Sequence, residues 1–360
     1  MMHIAQVAPL FEPVPPRRYG GTERIVSYLT EELVRLGHNV TLFASGDSRT
    51  SAKLVPLCRA ALWHDPGVAD PVRRHQQLAA DIPGRVGAFD VVHYHIDPDL
   101  LPLRARLRRP NLTTLHGRLD LPGLVQAFRA CPETPVVSIS NAQRAPVPWL
   151  NWQGTVHHGL PPGLYRHNPN PGNYFAFLGR MSPEKGVDRA IRVAVSLGVP
   201  LRIAARVADH EQPYFERCIR PWLANPLIEF VGEIGDADKQ EFLGNALALL
   251  FLIDWPEPFG VVVIEALACG TPVIAFNHGS VPELIDDGVT GFVVSSTREA
   301  IQRAGQIESI QRSNCRAAFE ARFTARVMAE RYLSVYQRQV RSGRPLAPAE
   351  ATYGGEVLIG

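Results

Sequence analysis

The stretch DWPEPFGVVVIEALACGTPVIAF (residues 254–276) decides how the chain is read. The apolar run Ala246–Ile253 before it predicts a strand. Asp254 to Gly260 then forms a loop with two prolines, and Val261–Cys269 predicts a helix. β-branched residues disfavour a helix, but one buried inside a domain tolerates them. Thr271–Ala275 predicts the next strand. Strand, loop, helix and strand in this order form a crossover unit of a parallel sheet, with the loop at the carboxyl end of a strand, where such sheets bind ligands. Glu257 lies in the loop and Glu265 one turn into the helix, around one helix N-terminus. Carboxylates so placed suit a ligand rich in hydroxyls, with Glu265 on a ribose and Glu257 on another sugar. The plainer alternative makes Glu257 a helix cap or ion-pair partner and leaves Glu265 facing solvent.

The same alternation runs along the chain. Strands are expected at His3–Pro9, Asn39–Ala44, Val91–Tyr94, Asn111–Leu115 and Pro135–Ile139, with a helix from Thr22 to Leu36 and further helices between Arg49 and Pro83. The segment 157–173, dense in Pro, Gly and Asn, marks a connection between domains. The pattern then restarts. Strands are expected at Asn173–Leu178, Leu201–Ala204, Ile228–Val231 and Gly291–Val294. Helices are expected at Val187–Leu197, Phe215–Leu223, Arg298–Glu308 and Asn314–Tyr336. The fold class is α/β. The division is a first domain at 1–165, a second at 166–340 whose terminal helix returns to the first, and a loose tail at 341–360. Two such domains define a cleft between them.

Composition narrows the function. With 360 residues, of which 46% are apolar and 20% charged, the chain is globular and long enough for two cores. A net charge of +2 gives no argument for nucleic acid, and the basic run Arg104–Arg109 reads as a solvated helix end. Five cysteines without paired spacing fit a reducing compartment and argue against structural zinc. No stretch reaches the length of a membrane span, and the first residues lack a basic leader. A cytoplasmic protein is expected, with peripheral membrane contact left open.

Four further clusters stand at strand ends. Gly20 and Gly21 precede a helix, where paired glycines let backbone approach a ligand and the helix end faces an anion. The spacing is not that of a dinucleotide fingerprint. Arg180 and Lys185, in Gly179-Arg-Met-Ser-Pro-Glu-Lys-Gly186, converge on a loop suited to a diphosphate. The alternative is two surface cations. His116, before Gly117, and His95 occupy sheet rims, with His116 the better candidate to donate to a substrate hydroxyl. Ser140–Arg144 (SNAQR) also follows a strand.

These residues together resemble the retaining glycosyltransferases of the GT-B fold, specifically the GT4 family. The marks are GGTE (20–23), HG (116–117), SNAQR (140–144), HHG (157–159), GRMSPEKG (179–186), EPFGVVVIEALACGTPVIA (257–275), GSVPELI (279–285) and GFVV (291–294). The resemblance covers nearly the whole chain and implies two Rossmann-like domains facing across a cleft. It implies that Arg180 and Lys185 bind the donor diphosphate, Glu265 the ribose and Glu257 the transferred sugar. Phe259, Gly260 and Val261 would hold sugar and phosphates through backbone groups, Gly20 and Gly21 would line the phosphate side, and His116 would contact the sugar. It implies a nucleotide-sugar donor, UDP first and GDP second, and an unidentified acceptor: carbohydrate, lipid-linked or small. No cofactor and no metal are expected, in line with the lack of an obvious Asp-x-Asp motif at a strand end. Two departures, the strand LRIAARV (201–207) followed by Ala208-Asp-His210, and HHG where the family commonly has HNG, leave base and sugar open. An epimerase or hydrolase on the same scaffold, a phosphorylase or synthase, and a catalytically idle binding protein are the alternatives.

Overall fold

Among the described residues, every strand pairs parallel with its neighbours, in two separate sheets. The computed structural model describes residues 1–17, 20–95 and 109–342. The acceptor loop expected at 95–103 beyond His95, the basic run up to Arg108 and the tail beyond Ser342 lie outside the described residues. The first sheet contains β1 (His3–Val7), β2 (Asn39–Ser45), β3 (Lys53–Cys58), β4 (Val91–Tyr94), β5 (Asn111–Thr114), β6 (Val136–Ser138) and β7 (Trp152–Thr155). Its order is β3-β2-β1-β4-β5-β6-β7. Helices α1 (Gly21–Arg35), α2 (Pro71–Ala80) and α3 (Pro122–Ala130) connect them.

The second sheet contains β8 (Tyr174–Arg180), β9 (Leu201–Arg206), β10 (Ile228–Gly232), β11 (Ala246–Phe251), β12 (Val273–Phe276) and β13 (Gly291–Val294), in the order β10-β9-β8-β11-β12-β13. Around it lie α4 (Val187–Leu197), the single turn α5 (Gln212–Tyr214), α6 (Asp236–Gly244), α7 (Val261–Cys269), α8 (Val281–Leu284), α9 (Thr297–Ala304) and α10 (Arg312–Arg322), and the terminal helix α11 (Ala325–Ser342) follows them in the chain. In both sheets the order reverses between the first and fourth strand, which opens a crevice at the carboxyl ends. These are two Rossmann-like domains, and their crevices face each other.

The helix α7 shows why burial outweighs propensity. Three valines and an isoleucine cost about 2 kcal/mol together relative to good helix formers, at roughly 0.5 each. Val263, Ile264 and Leu267 are fully buried between β11, β12 and α10, at about 1.5–3 kcal/mol each. The terminal helix reaches the first domain by a tight crossing. Leu160 N–H donates to the Phe323 carbonyl (2.9 Å), Ala325 N–H donates to the Leu160 carbonyl (2.7 Å), and α11 then packs on α1.

The structure corrects the sequence reading in several places. Residues 49–83 hold the strand β3 and the helix α2, not helices alone; β3 pairs with β2 at the edge of the sheet, where its Pro56 is tolerated. The strand β7 and the helices α3 and α6 were not expected. The segment Phe215–Leu223 is broken into short turns, because Pro221 lacks the N–H a continuous helix requires. The run 314–336 divides into α10 and α11 at Phe323 and Thr324, where the chain crosses between domains.

Candidate active site

The loop Asp254–Gly260 is shaped by its own backbone. Gly260, the residue before α7, has φ +85°, and an added Cβ would stand 2.9 Å from Phe251 Cζ. Only glycine takes this turn without strain. Gly279 serves the loop from outside: its φ is +56°, and an added Cβ would stand 2.3 Å from the Glu257 carbonyl. That close approach lets Ser280 N–H donate to the Glu257 carbonyl (3.0 Å) and Ser280 Oγ to the Phe259 carbonyl (2.6 Å). The motif GSVPELI therefore braces the loop that carries Glu257. Asp254 N–H donates to the Glu184 carbonyl (2.8 Å), which ties this loop to the one bearing Arg180 and Lys185.

A cavity of about 470 Å³ opens at this rim. Arg180, Lys185, Glu257, Gly260, Val261 and Glu265 all line it, so the structure brings these six of the expected residues together. Lys185 Nζ donates to Glu257 Oε2 (2.5 Å), and Trp255 Nε1 donates to the same oxygen (2.8 Å). Lys185 also lies 5.0 Å from the Trp255 ring centre, a cation–π contact. Arg180 is shared between Glu184 (3.0 Å) and Glu211 (3.3 Å). Glu265 is buried, which excludes the solvent-facing alternative. Its Oε1 accepts from Lys239 Nζ (2.8 Å) and Tyr165 Oη (3.3 Å), and Oε2 has no hydrogen-bond partner among the described residues. Every one of these charges is already compensated, so an anion entering the cavity exchanges partners with charged groups and need not face bare ones.

Phe259 takes another position. It is buried outside the cavity lining, 4.8 Å from the His158 ring, with its carbonyl bound by Ser280. Gly20 and Gly21 line a second cavity of about 580 Å³ together with His95 and His116, while Arg17 and Arg24 are the described residues that the first domain brings to the first cavity. The walls of the second cavity are largely apolar, with Phe11, Trp63, Leu119, Leu121 and Leu124. Arg118, its only described basic residue besides the histidines, is held by Asp120 through two bonds of 2.7 Å. Burial pushes the pKa of His116 down to about 3, so its imidazole is neutral. His158 stacks on His116 at 5.3 Å and is likewise held neutral by burial, with His116 and His157 adding to the effect. The second His of HHG thus fills the space between His116 and Phe259.

Several residues of the site escaped the sequence reading. Lys239, Asp236 and Glu233 line the first cavity from α6 and the loop before it, a helix whose weakly amphipathic sequence DADKQEFLG gave no periodic signal. Two Asp-x-Asp pairs do occur: Asp97 and Asp99 lie outside the described residues, and of Asp236 and Asp238 the first is bound by Arg24 and Lys239. Arg206, Ala208 and His210, the departures in the family pattern, line the same cavity. Glu283 joins the domains: it accepts from the N–H groups of Asn141 and Ala142 (both 2.8 Å), from Asn141 Nδ2 (3.0 Å) and from His157 Nε2 (3.1 Å). Gln143 of the SNAQR motif donates to the carbonyls of Leu115 (2.8 Å) and Gly117 (2.7 Å) and so fixes the backbone on both sides of His116.

Two facing parallel-sheet domains with a charged crevice at the second are the GT-B architecture. Solved structures agree. AviGT4, a glycosyltransferase involved in avilamycin A biosynthesis, superposes with a TM-score of 0.73 at 24% identity over 95% of this chain and 98% of its own. Anabaena Alr3699/HepE, solved with UDP and glucose, gives 0.72 at 18% identity over 94% and 100%. The family model described as Glycosyl transferases group 1 matches residues 166–323, and that described as Glycosyltransferase Family 4 matches residues 19–178. Among curated relatives, the D-inositol 3-phosphate glycosyltransferase of Mycolicibacterium smegmatis (strain ATCC 700084 / mc(2)155) is 25% identical, over 92% of this chain and 89% of its own length. That of Mycobacterium ulcerans (strain Agy99) is 31% identical over 72% and 60%. The chain belongs to the GT4-type glycosyltransferases, and it is a transferase enzyme.

Proposed function

We propose that the enzyme moves a sugar from a nucleotide-sugar to a hydroxyl acceptor with retention at the anomeric carbon, and that UDP is the nucleotide. The observation that carries this reading is the meeting of Arg180, Lys185, Glu257, Glu265 and the start of α7 on one cavity. Arg180 and Lys185 take the diphosphate, Glu265 Oε2 the ribose, and Glu257 the transferred sugar. That Alr3699/HepE was solved with UDP and glucose supports a donor of this kind.

In the reaction the bond from the anomeric carbon to the diphosphate breaks, and negative charge grows on the leaving oxygen. Lys185, Arg180 and the N–H groups at the start of α7 stabilise that charge more in the transition state than before it, which lowers the barrier. These groups do what a divalent metal does elsewhere, and no cofactor enters the step. The acceptor oxygen attacks on the face the leaving group departs from, and its proton passes to the departing phosphate oxygen. Glu257 acts by position and charge; its Oε2 is already held by Lys185 and Trp255, which suits a clamp better than a nucleophile. The acceptor, a carbohydrate, lipid-linked or small molecule, occupies the cavity beside His116 in the first domain.

Product analysis tests the proposal. UDP-sugars are incubated with and without a panel of hydroxyl acceptors, and products are identified by mass spectrometry and by the anomeric proton in NMR. The expected result is UDP release that depends on acceptor, with a product of the donor's anomeric configuration. Free sugar or an epimerised nucleotide without acceptor, or an inverted product, would overturn it.

A further inference from the structure

Behind His116 the first domain buries a line of polar groups that the donor chemistry does not use. Gln6 is on β1 and is the cross-strand partner of His93 on β4, so Gln6, His93 and His95 share one face of the sheet. On that face α11 lays Tyr332 and Tyr336, four residues apart and fully buried. The groups form one chain. Gln6 Nε2 donates to Tyr336 Oη (3.0 Å), Tyr336 Oη lies 2.7 Å from His93 Nδ1, and His93 Nε2 lies 2.7 Å from Thr114 Oγ1, which is 2.8 Å from Tyr332 Oη. In the other direction, Gln6 Oε1 is 2.7 Å from His95 Nε2, and His95 Nδ1 is 2.9 Å from His116 Nε2. There the chain stops: His116 Nδ1 is buried and has no hydrogen-bond partner among the described residues.

Polar groups in the middle of a sheet core cost stability unless each contact joins a donor to an acceptor. A neutral imidazole has one of each, so a proton placed at one end of the chain dictates the rest. The Gln6 carbonyl oxygen accepts only, which puts the proton of His95 on Nε2 and leaves its Nδ1 as a lone pair. His116 must then donate through Nε2, and its Nδ1 is a lone pair as well.

We propose that Gln6 is a positioning residue that, through His95, holds His116 in the tautomer whose Nδ1 accepts a hydrogen bond from a ligand hydroxyl. This reverses the donor role the sequence suggested for His116, and it rests on the reading that a sugar or acceptor hydroxyl reaches this residue. Nδ1 is closed to solvent beneath its neighbours, so the hydroxyl reaches it when the side chains packed on His116, His158 among them, give way.

Nitrogen NMR of the full chain, with histidine labelled and His116 assigned by its loss in His116→Gln, reads the tautomer directly. The expected spectrum of the wild type has His116 Nδ1 unprotonated and Nε2 protonated, and in Gln6→Leu the two forms mix. The expected kinetics are a drop in kcat/KM of about tenfold in Gln6→Leu, with UDP affinity by calorimetry within twofold of wild type. If Gln6→Leu does not fold, Tyr336→Phe breaks the chain at its other side and is expected to lower kcat in the same direction. A protonated Nδ1 in the wild type, or a Gln6→Leu enzyme with unchanged kcat/KM, would overturn the proposal. So would a loss of UDP affinity equal to the loss of kcat/KM, which marks a merely structural role. A wild type that transfers no sugar would sink the proposed function, while the spectrum still decides the tautomer.

Discussion

The two cavities of the cleft are built on opposite physical plans. The donor cavity is charged, and its central charges are met by others: Lys185 by Glu257, Glu265 by Lys239, Arg24 by Asp236, Arg180 by Glu184 and Glu211. The cavity beside His116 has largely apolar walls, with Trp63 57% exposed at its edge, and two of its polar residues, His95 and His116, belong to a buried hydrogen-bond chain. A site of paired charges suits a ligand that brings its own charges and exchanges partners. A site of apolar walls suits a ligand recognised by shape, with few polar contacts to orient it.

The comparison is broken most strongly at Lys185. Lys185→Ala is expected to lower kcat by about 10²- to 10³-fold, since a cation is lost where leaving-group charge develops. The protein should stay folded, at a cost of about 1–3 kcal/mol for the carboxylate of Glu257 left with less compensation. Steady-state kinetics with a melting curve check both; full turnover in a folded variant would remove Lys185 from the diphosphate.

Glu283 tests what holds the two plans face to face. Burial raises its pKa, but the bonds from His157 and from the N–H groups of Asn141 and Ala142 outweigh burial, and the carboxyl is held below its ordinary value of 4.5. A group depressed in the folded state adds stability that is complete above the unfolded pKa and fades as pH falls below it. Glu283→Ala should therefore lose about 2 kcal/mol at pH 7. The difference from wild type should shrink below about pH 4.5. Urea unfolding at several pH values reads this, and a pH-independent difference would contradict the sign.

The smallest effect is expected on the apolar side. Trp63→Ala should raise KM for the acceptor a few-fold and leave UDP affinity unchanged, because Trp63 lines only the second cavity. Weaker UDP binding in that variant would mean the two cavities do not divide the substrates.

Much of the donor side was legible because its signals are local. The helix α7 starts after Gly260 and spans Val261–Cys269 as expected, and Lys185, Glu257 and Glu265 follow strands whose apolar runs are plain, with Arg180 the last residue of one. Glu265 shows the limit: its position in the helix was readable, but its burial and its partner Lys239 were not, since α6 carries no periodic pattern. The edge strand β3 was missed because a half-exposed strand containing Pro56 gives no clean alternation. The buried chain from Tyr336 to His116 joins residues 330 positions apart at Gln6, and no local pattern in sequence announces such a contact.

The central claim is that Glu265 and Glu257 clamp different parts of one donor. Calorimetric titration of UDP and of a UDP-sugar into Glu265→Gln and Glu257→Gln tests it most directly. The account predicts that Glu265→Gln weakens both ligands by about tenfold, the loss of one hydrogen bond to a charged group. It predicts that Glu257→Gln leaves UDP unchanged and abolishes the added affinity of the sugar. Equal losses for both ligands in both variants, or no loss in either, would contradict it.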